Sequence, residues 1–135
     1  MFTNRRIARI GSLTLAAVLL LGCERDNDGP TVNPTIDFLT AQGYTYLDDT
    51  VSTLDTLLVG VVIRKGDDGL RTFKVLSTYD GGAAETVDSL SIGSDVFEFD
   101  KTIITRADTG TEKWTFWVEE NDGDVIRRSL TFTVQ

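Results

Sequence analysis

Apolar residues are distributed along this chain in two different ways. From Ile10 to Leu21 they form one nearly continuous block, whereas from Thr35 onward they come in short stretches, many alternating with polar residues and separated by Gly, Asp and Asn. Alternation with a period of two is the signature of a strand with one buried face, and no window holds a sustained helical period with caps. The pattern predicts strands near 35–38, 44–47, 56–64, 71–79, 86–91, 96–105, 113–120 and 125–134. Short strands at this density over about 100 residues make an all-β, mostly antiparallel sandwich.

The facing of individual residues follows from the same period. Leu57, Val59, Val61 and Ile63 alternate with Leu58, Gly60, Val62 and Arg64; both sets are largely apolar, which predicts a central strand buried for much of its length. The expected core comprises Val59, Val61, Phe73, Val75, Trp114, Phe116, Leu130 and Phe132. In the final strand Ile126, Leu130, Phe132 and Val134 point inward, and Asn121-Asp122-Gly123-Asp124 supplies the turn before it, since Asn, Asp and Gly tolerate positive φ. Trp117 is different. It falls on the outward face with Lys113, Thr115 and Glu119, where an indole needs cover from a loop, a partner or a ligand. Because sugar rings stack on flat aromatics, Trp117 is the candidate ligand platform; the alternative is cover from within the domain, for example by Arg127 or Arg128.

The strands over residues 35–134, with Trp114-Thr115-Phe116-Trp117-Val118 and Leu130-Thr131-Phe132-Thr133-Val134 in the closing hairpin, resemble the immunoglobulin-like and PKD-like domains of secreted bacterial proteins. The resemblance implies an immunoglobulin-like antiparallel β-sandwich over 35–135. The antibody disulfide is missing, because Cys23 is the only cysteine. Such sandwiches serve as spacers, adhesins and sugar binders, so the fold implies no activity.

The first apolar block has a separate meaning. Arg5, Arg6 and Arg9 precede it, and its length falls short of the ~20 residues of a spanning helix, so residues 1–22 read as a cleaved signal peptide. Leu20-Leu21-Gly22-Cys23 resembles the lipobox of bacterial lipoproteins, which implies cleavage between Gly22 and Cys23 and lipidation of the Cys23 thiol. Several acyl chains anchor a protein stably, at about 0.8 kcal/mol per buried methylene. Residues 23–34 then read as a flexible acidic tether, broken by Gly29-Pro30. Glu24, Asp26 and Asp28 behind the cysteine resemble the export signal of Bacteroidetes-type surface lipoproteins. That implies an outer-membrane protein facing the cell exterior, with the periplasmic face as the alternative. Asp49-Thr50-Val51, Asp55-Thr56-Leu57 and Asp88-Ser89-Leu90 are similar to the O-glycosylation pattern of such exported proteins.

Charge and composition narrow the function. Loss of residues 1–22 removes three of the 13 basic residues and no carboxylate, taking the net charge from −8 to −11. Nucleic acid is not an expected partner for so acidic a surface. The chain has no histidine, which excludes Ser-His-Asp and Cys-His arrangements and His-bearing zinc sites, and no cofactor is expected. A glycosidase pair of carboxylates needs a cleft that a small sandwich with short loops scarcely offers. Three acidic turns occur, Asp26-Asn27-Asp28-Gly29, Asp67-Asp68-Gly69 and Asn121-Asp122-Gly123-Asp124. None completes an EF-hand, and Asp122 and Asp124 are the weak calcium candidates. Two classes of function remain: a non-catalytic surface binding or adhesion module, with a glycan or protein partner, and a structural envelope lipoprotein that docks onto a protein complex.

Overall fold

The computed structural model describes residues 30–135. The expected signal peptide, the Gly22–Cys23 cleavage point and the acidic residues Glu24, Asp26 and Asp28 lie outside the described residues.

Eight strands and no helix make up the described chain: β1 (Thr35–Phe38), β2 (Asp49–Val51), β3 (Thr56–Arg64), β4 (Leu70–Tyr79), β5 (Glu85–Ser91), β6 (Val96–Ile104), β7 (Gly110–Glu120) and β8 (Val125–Val134). They form two facing sheets, one ordered β1-β3-β6 and the other β2-β8-β7-β4-β5. Every neighbouring pair is antiparallel except β2 with β8. The described chain thus starts in one sheet and crosses to the edge of the other, with the last hairpin in the middle of the larger sheet. This is an immunoglobulin-like sandwich.

The crossing corrects one expectation. Tyr44–Leu47 is not a strand; its place is taken by β2, five residues later. Residues 39–45 instead continue along the β1 side of β3, with the Leu39 and Tyr44 side chains folded over its outer face at Gly60. Leu39 N–H donates to Gly60 O at 2.8 Å and Thr45 N–H to Leu58 O at 2.7 Å. A Cβ at Gly60 would lie 2.5 Å from Tyr44 Cε1 and 2.7 Å from Leu39 Cδ1, so only glycine lets the crossing lie this close. The remaining strands agree with the sequence pattern to within a few residues.

Alternation places one set of side chains from each sheet in a shared core. All eight expected core residues are buried, and Phe73 stands at the centre, with ring centroids of Phe99, Phe97 and Phe116 at 5.0, 5.3 and 6.4 Å. Phe38 of β1 meets the edge of Phe116 at 5.5 Å. Cations close the open sides of the sandwich. Lys101 of β6 pairs with Asp88 of β5 at 2.7 Å, its ammonium 5.9 Å from the Trp114 centroid. On the opposite side Arg128 of β8 donates to Ile36 O at 2.8 Å and lies 4.7 Å over Phe38. In each case the aliphatic stem covers apolar surface while the charged head finds a partner.

Phe116 is fully buried between Phe38 and Phe73. Phe116→Ala is expected to cost about 3–5 kcal/mol, through lost transfer energy and the cavity left behind. Chemical denaturation monitored by tryptophan fluorescence checks this, and a loss below about 1 kcal/mol would contradict the packing described.

Candidate functional site

Trp117 sits in the middle of the outer face of the larger sheet, because its neighbours on β7, Phe116 and Val118, point inward. The register across the sheet then fixes its surroundings. Lys74 of β4 and Arg127 of β8 flank Trp117, and two residues along, Leu76 and Ser129 flank Thr115. A further step brings Thr78 and Thr131 beside Lys113. Three strands therefore present an ordered outward array of an indole, hydroxyls and cations.

The indole is half-buried, and the Lys74 ammonium lies 4.6 Å from its centroid. The cation over the ring comes from β4, whereas Arg128 turns to Phe38 at the inner edge. Arg128 shares the facing of Phe116, its partner in the register, and so cannot reach Trp117. Beside the indole, a depression of about 520 Å³ is lined by Lys113, Thr115, Arg127 and Ser129, with Leu76 and Thr78 from β4 and Gly81 and Ala84 from the β4–β5 turn. Thr115 and Ser129 hydroxyls share a 2.9 Å hydrogen bond in its floor.

The β4–β5 turn that forms the rim is locally determined. Gly82 N–H donates to Tyr79 O at 2.9 Å, and Asp80 and Gly81 between them both have positive φ, 50° and 71°, as a tight hairpin turn of the Asp-Gly type requires. Arg106 holds Asp80 through contacts of 2.9 and 3.2 Å, and Thr111 N–H adds a third at 2.8 Å. The Arg106 hydrogen bond, followed by that of Thr111, holds the Asp80 carboxyl below the usual carboxylate range.

Two of the three acidic turns, those at 67–69 and 121–124, assemble elsewhere, at the end of the sandwich formed by the β3–β4 loop and the β7–β8 turn; the turn at 26–29 lies outside the described residues. Asn121 N–H donates to Gly69 O at 2.9 Å, which brings Asp68 beside Asp122. Asp122 and Asp124 are exposed, and one oxygen from each lies within 4.8 Å of an oxygen of Glu120. Glu120 was not singled out from the sequence, although it shares the facing of Trp114, Phe116 and Val118. It is only 2% exposed, and one carboxylate oxygen accepts Gly66 N–H at 2.7 Å. These three carboxylates offer the hard oxygen donors that calcium takes, but only part of the roughly six to eight it needs.

Their charges act on one another. Burial raises the Glu120 carboxyl above its ordinary value, opposed by the Gly66 N–H and reinforced by Asp122, Asp68 and Asp124. Asp68 is raised as well, chiefly by Asp122. Residues 32–34 reach this same end: Val32 N–H donates to Asp67 Oδ2 at 2.7 Å, Asp67 N–H to Val32 O at 2.9 Å, and Pro34 is buried. Thr50, Thr56 and Ser89, the hydroxyl residues of the O-glycosylation pattern, are all exposed.

No family model matches this sequence, and no curated protein matches it. Solved structures that resemble the chain include a β-glucosidase from Listeria innocua in complex with glucose, at 13% identity and a TM-score of 0.46 over 76% of this chain. The same enzyme with gluconolactone aligns at 13% identity and a TM-score of 0.45 over 73%. The chain spans 16% of the length of either glucosidase chain. The CARDB domain of the PF1109 protein from Pyrococcus furiosus, in complex with di-metal ions, aligns at 14% identity and a TM-score of 0.42, covering 77% of this chain and 94% of that one.

The Glu120 environment predicts a pH dependence. A carboxyl raised in the folded state contributes stability fully below its unfolded value, near the ordinary 4.5, and loses it as pH rises through the raised folded value. Glu120→Gln keeps an acceptor for Gly66 and removes the charge. Its denaturation midpoint should exceed that of the wild type at neutral pH, with the gap closing below the ordinary glutamate value. Equal midpoints at neutral pH would contradict the electrostatic account.

Proposed function

We propose that this chain is a lipid-anchored, non-catalytic binding module displayed at the outer surface of the cell, whose larger sheet captures glycans on its outer face. Trp117 carries the reading: an indole at the centre of an outward face, beside a depression lined by the hydroxyls of Thr78, Thr115 and Ser129. Sugars offer C–H faces to aromatic rings and hydroxyls to Ser and Thr, so this array matches both halves of their chemistry. Anchoring rests on the apolar block and the Leu20–Cys23 sequence, with the membrane engaged through lipid on Cys23. Glu24, Asp26 and Asp28 support display on the outer leaflet.

A second reading, docking onto an envelope protein complex, is favoured by β5. This strand is an edge of the larger sheet and exposes Val87 and Leu90, and an unpaired edge accepts a strand from another chain.

Two measurements test the proposal. Cys23→Ser is expected to leave the protein unprocessed or free of the membrane, and mass spectrometry of membrane-extracted wild type should find a diacylglycerol-modified Cys23 at the mature N-terminus. An unmodified thiol there would refute the anchor. Trp117→Ala should abolish retention on a glycan array while costing less than about 2 kcal/mol, since a half-buried outward ring contributes modestly to the core. A larger stability loss with no glycan bound by the wild type would leave docking through β5 as the better reading.

A further inference from the structure

The cations of this domain are not distributed evenly. Of the nine Lys and Arg residues among the described residues, five form ion pairs: Arg64 with Asp37, Lys65 with Asp95, Lys101 with Asp88, Arg106 with Asp80 and Glu112, and Arg128 with Asp37. The four that do not are Arg71, Lys74, Lys113 and Arg127. Three of these four, Lys74, Lys113 and Arg127, lie on the outer face around Trp117.

In a chain of net charge −8, unpaired cations gathered on one face leave a local field of the opposite sign to the whole. The depression beside Trp117 has two cations and three hydroxyls in its lining and no carboxylate. Acids border the face without lining the depression: Glu119 two residues beyond Trp117, Asp48 at the β2 side, where its carboxylate accepts Thr131 N–H at 2.8 Å, and Asp80 and Glu85 next to Gly81 and Ala84, with Asp80 neutralised by Arg106. Spacing adds a constraint on ligand length. Arg127 pairs with Trp117, four residues from Lys113 on β7, so the two cations stand roughly 13 Å apart along the face at about 3.3 Å per residue. That distance suits an oligosaccharide stretch better than a single sugar.

We propose that the ligand of this face is an acidic polysaccharide, whose carboxylate or sulfate groups engage Lys113 and Arg127 while its rings and hydroxyls meet Trp117, Thr115 and Ser129. The inference rests on the glycan reading above and gives it a charge. An acidic protein segment fits the cations but not the rest of the face, because Leu76 is the one large aliphatic side chain lining the depression and a peptide docks through apolar anchors.

The test uses the mature protein as extracted from membranes in detergent, run through native gels containing polygalacturonate, chondroitin sulfate, dextran or polyglutamate. The two acidic polysaccharides should retard the protein and dextran should not. Retardation should weaken as salt is raised, because the contacts are charged and solvent-exposed. The Lys113→Gln, Arg127→Gln double variant should lose at least tenfold in affinity for polygalacturonate. Arg64→Gln, on the other sheet, should bind as the wild type does. Equal retardation by dextran, still abolished in Trp117→Ala, would overturn the acidic preference and leave glycan capture standing. Retardation by polyglutamate as strong as by the polysaccharides would assign the face to an acidic protein and overturn the inference. Retardation by none of the four would overturn both the inference and the glycan reading.

Discussion

The alternation of side chains along β7 is the constraint on which both the interior and the outer surface depend. β7 pairs with β4 on one side and β8 on the other, so its facing is imposed on both neighbours. Trp114, Phe116 and Val118 go inward and meet the smaller sheet; Lys113, Thr115 and Trp117 go outward and create the candidate binding face. A slip of one residue would exchange the two sets, burying a lysine and exposing a phenylalanine. The core therefore fixes the surface array as firmly as it fixes itself.

The same alternation carries two carboxylates inside, with contrasting consequences. Glu112 accepts Arg106 N–H at 2.7 Å and Trp114 Nε1–H at 3.2 Å, and the Arg106 guanidinium lies within 3.4 Å. Buried charge with donors and a cation close by is electrostatically compensated. At the other end of β7, Glu120 has one backbone donor and only carboxylates as charged neighbours. Both pin a loop to the end of the strand, one the β6–β7 connection and the other the β3–β4 loop. Only the first does so without electrostatic strain, which is why the second ties stability to pH.

Much of the fold could be read in the sequence because the period of two is a local signal. β3 illustrates this well: apolar residues on both of its faces predicted burial on both sides, and Val59 to Ile63 are indeed buried. Tyr44–Leu47 misled because only Tyr44 packs on β3, at Gly60, whereas Tyr46 and Leu47 are exposed where the backbone passes between sheets. Glu112 and Glu120 went unnoticed, although counting by twos from Phe116 places both inward; a charged residue is ordinarily read as exposed, and that habit hid the signal. The cover of Trp117 by Lys74, and the gathering of Lys113, Arg127 and the hydroxyls beside it, depend on register between strands far apart in sequence. No local pattern encodes them.

The distribution of charge along the long axis bears on how the domain is held. Val32 and Pro34 reach the sandwich at the end where Asp67, Asp68, Asp122 and Asp124 gather, so the described chain enters the domain from that end. Lys113 and the β4–β5 turn stand toward the opposite end of the larger sheet, since β4 runs from Leu70 beside Glu120 to Tyr79 beside Glu112. Under the proposed anchoring, acidic residues at that end would repel anionic headgroups and discourage the domain from lying flat on a membrane. The unpaired cations on the outer face do not share one end: Lys113 stands farthest from the acidic turns, whereas Lys74 and Arg127 lie level with Trp117, three residues from Glu120, so the face runs along the sheet toward the acidic end instead of crowning the far one.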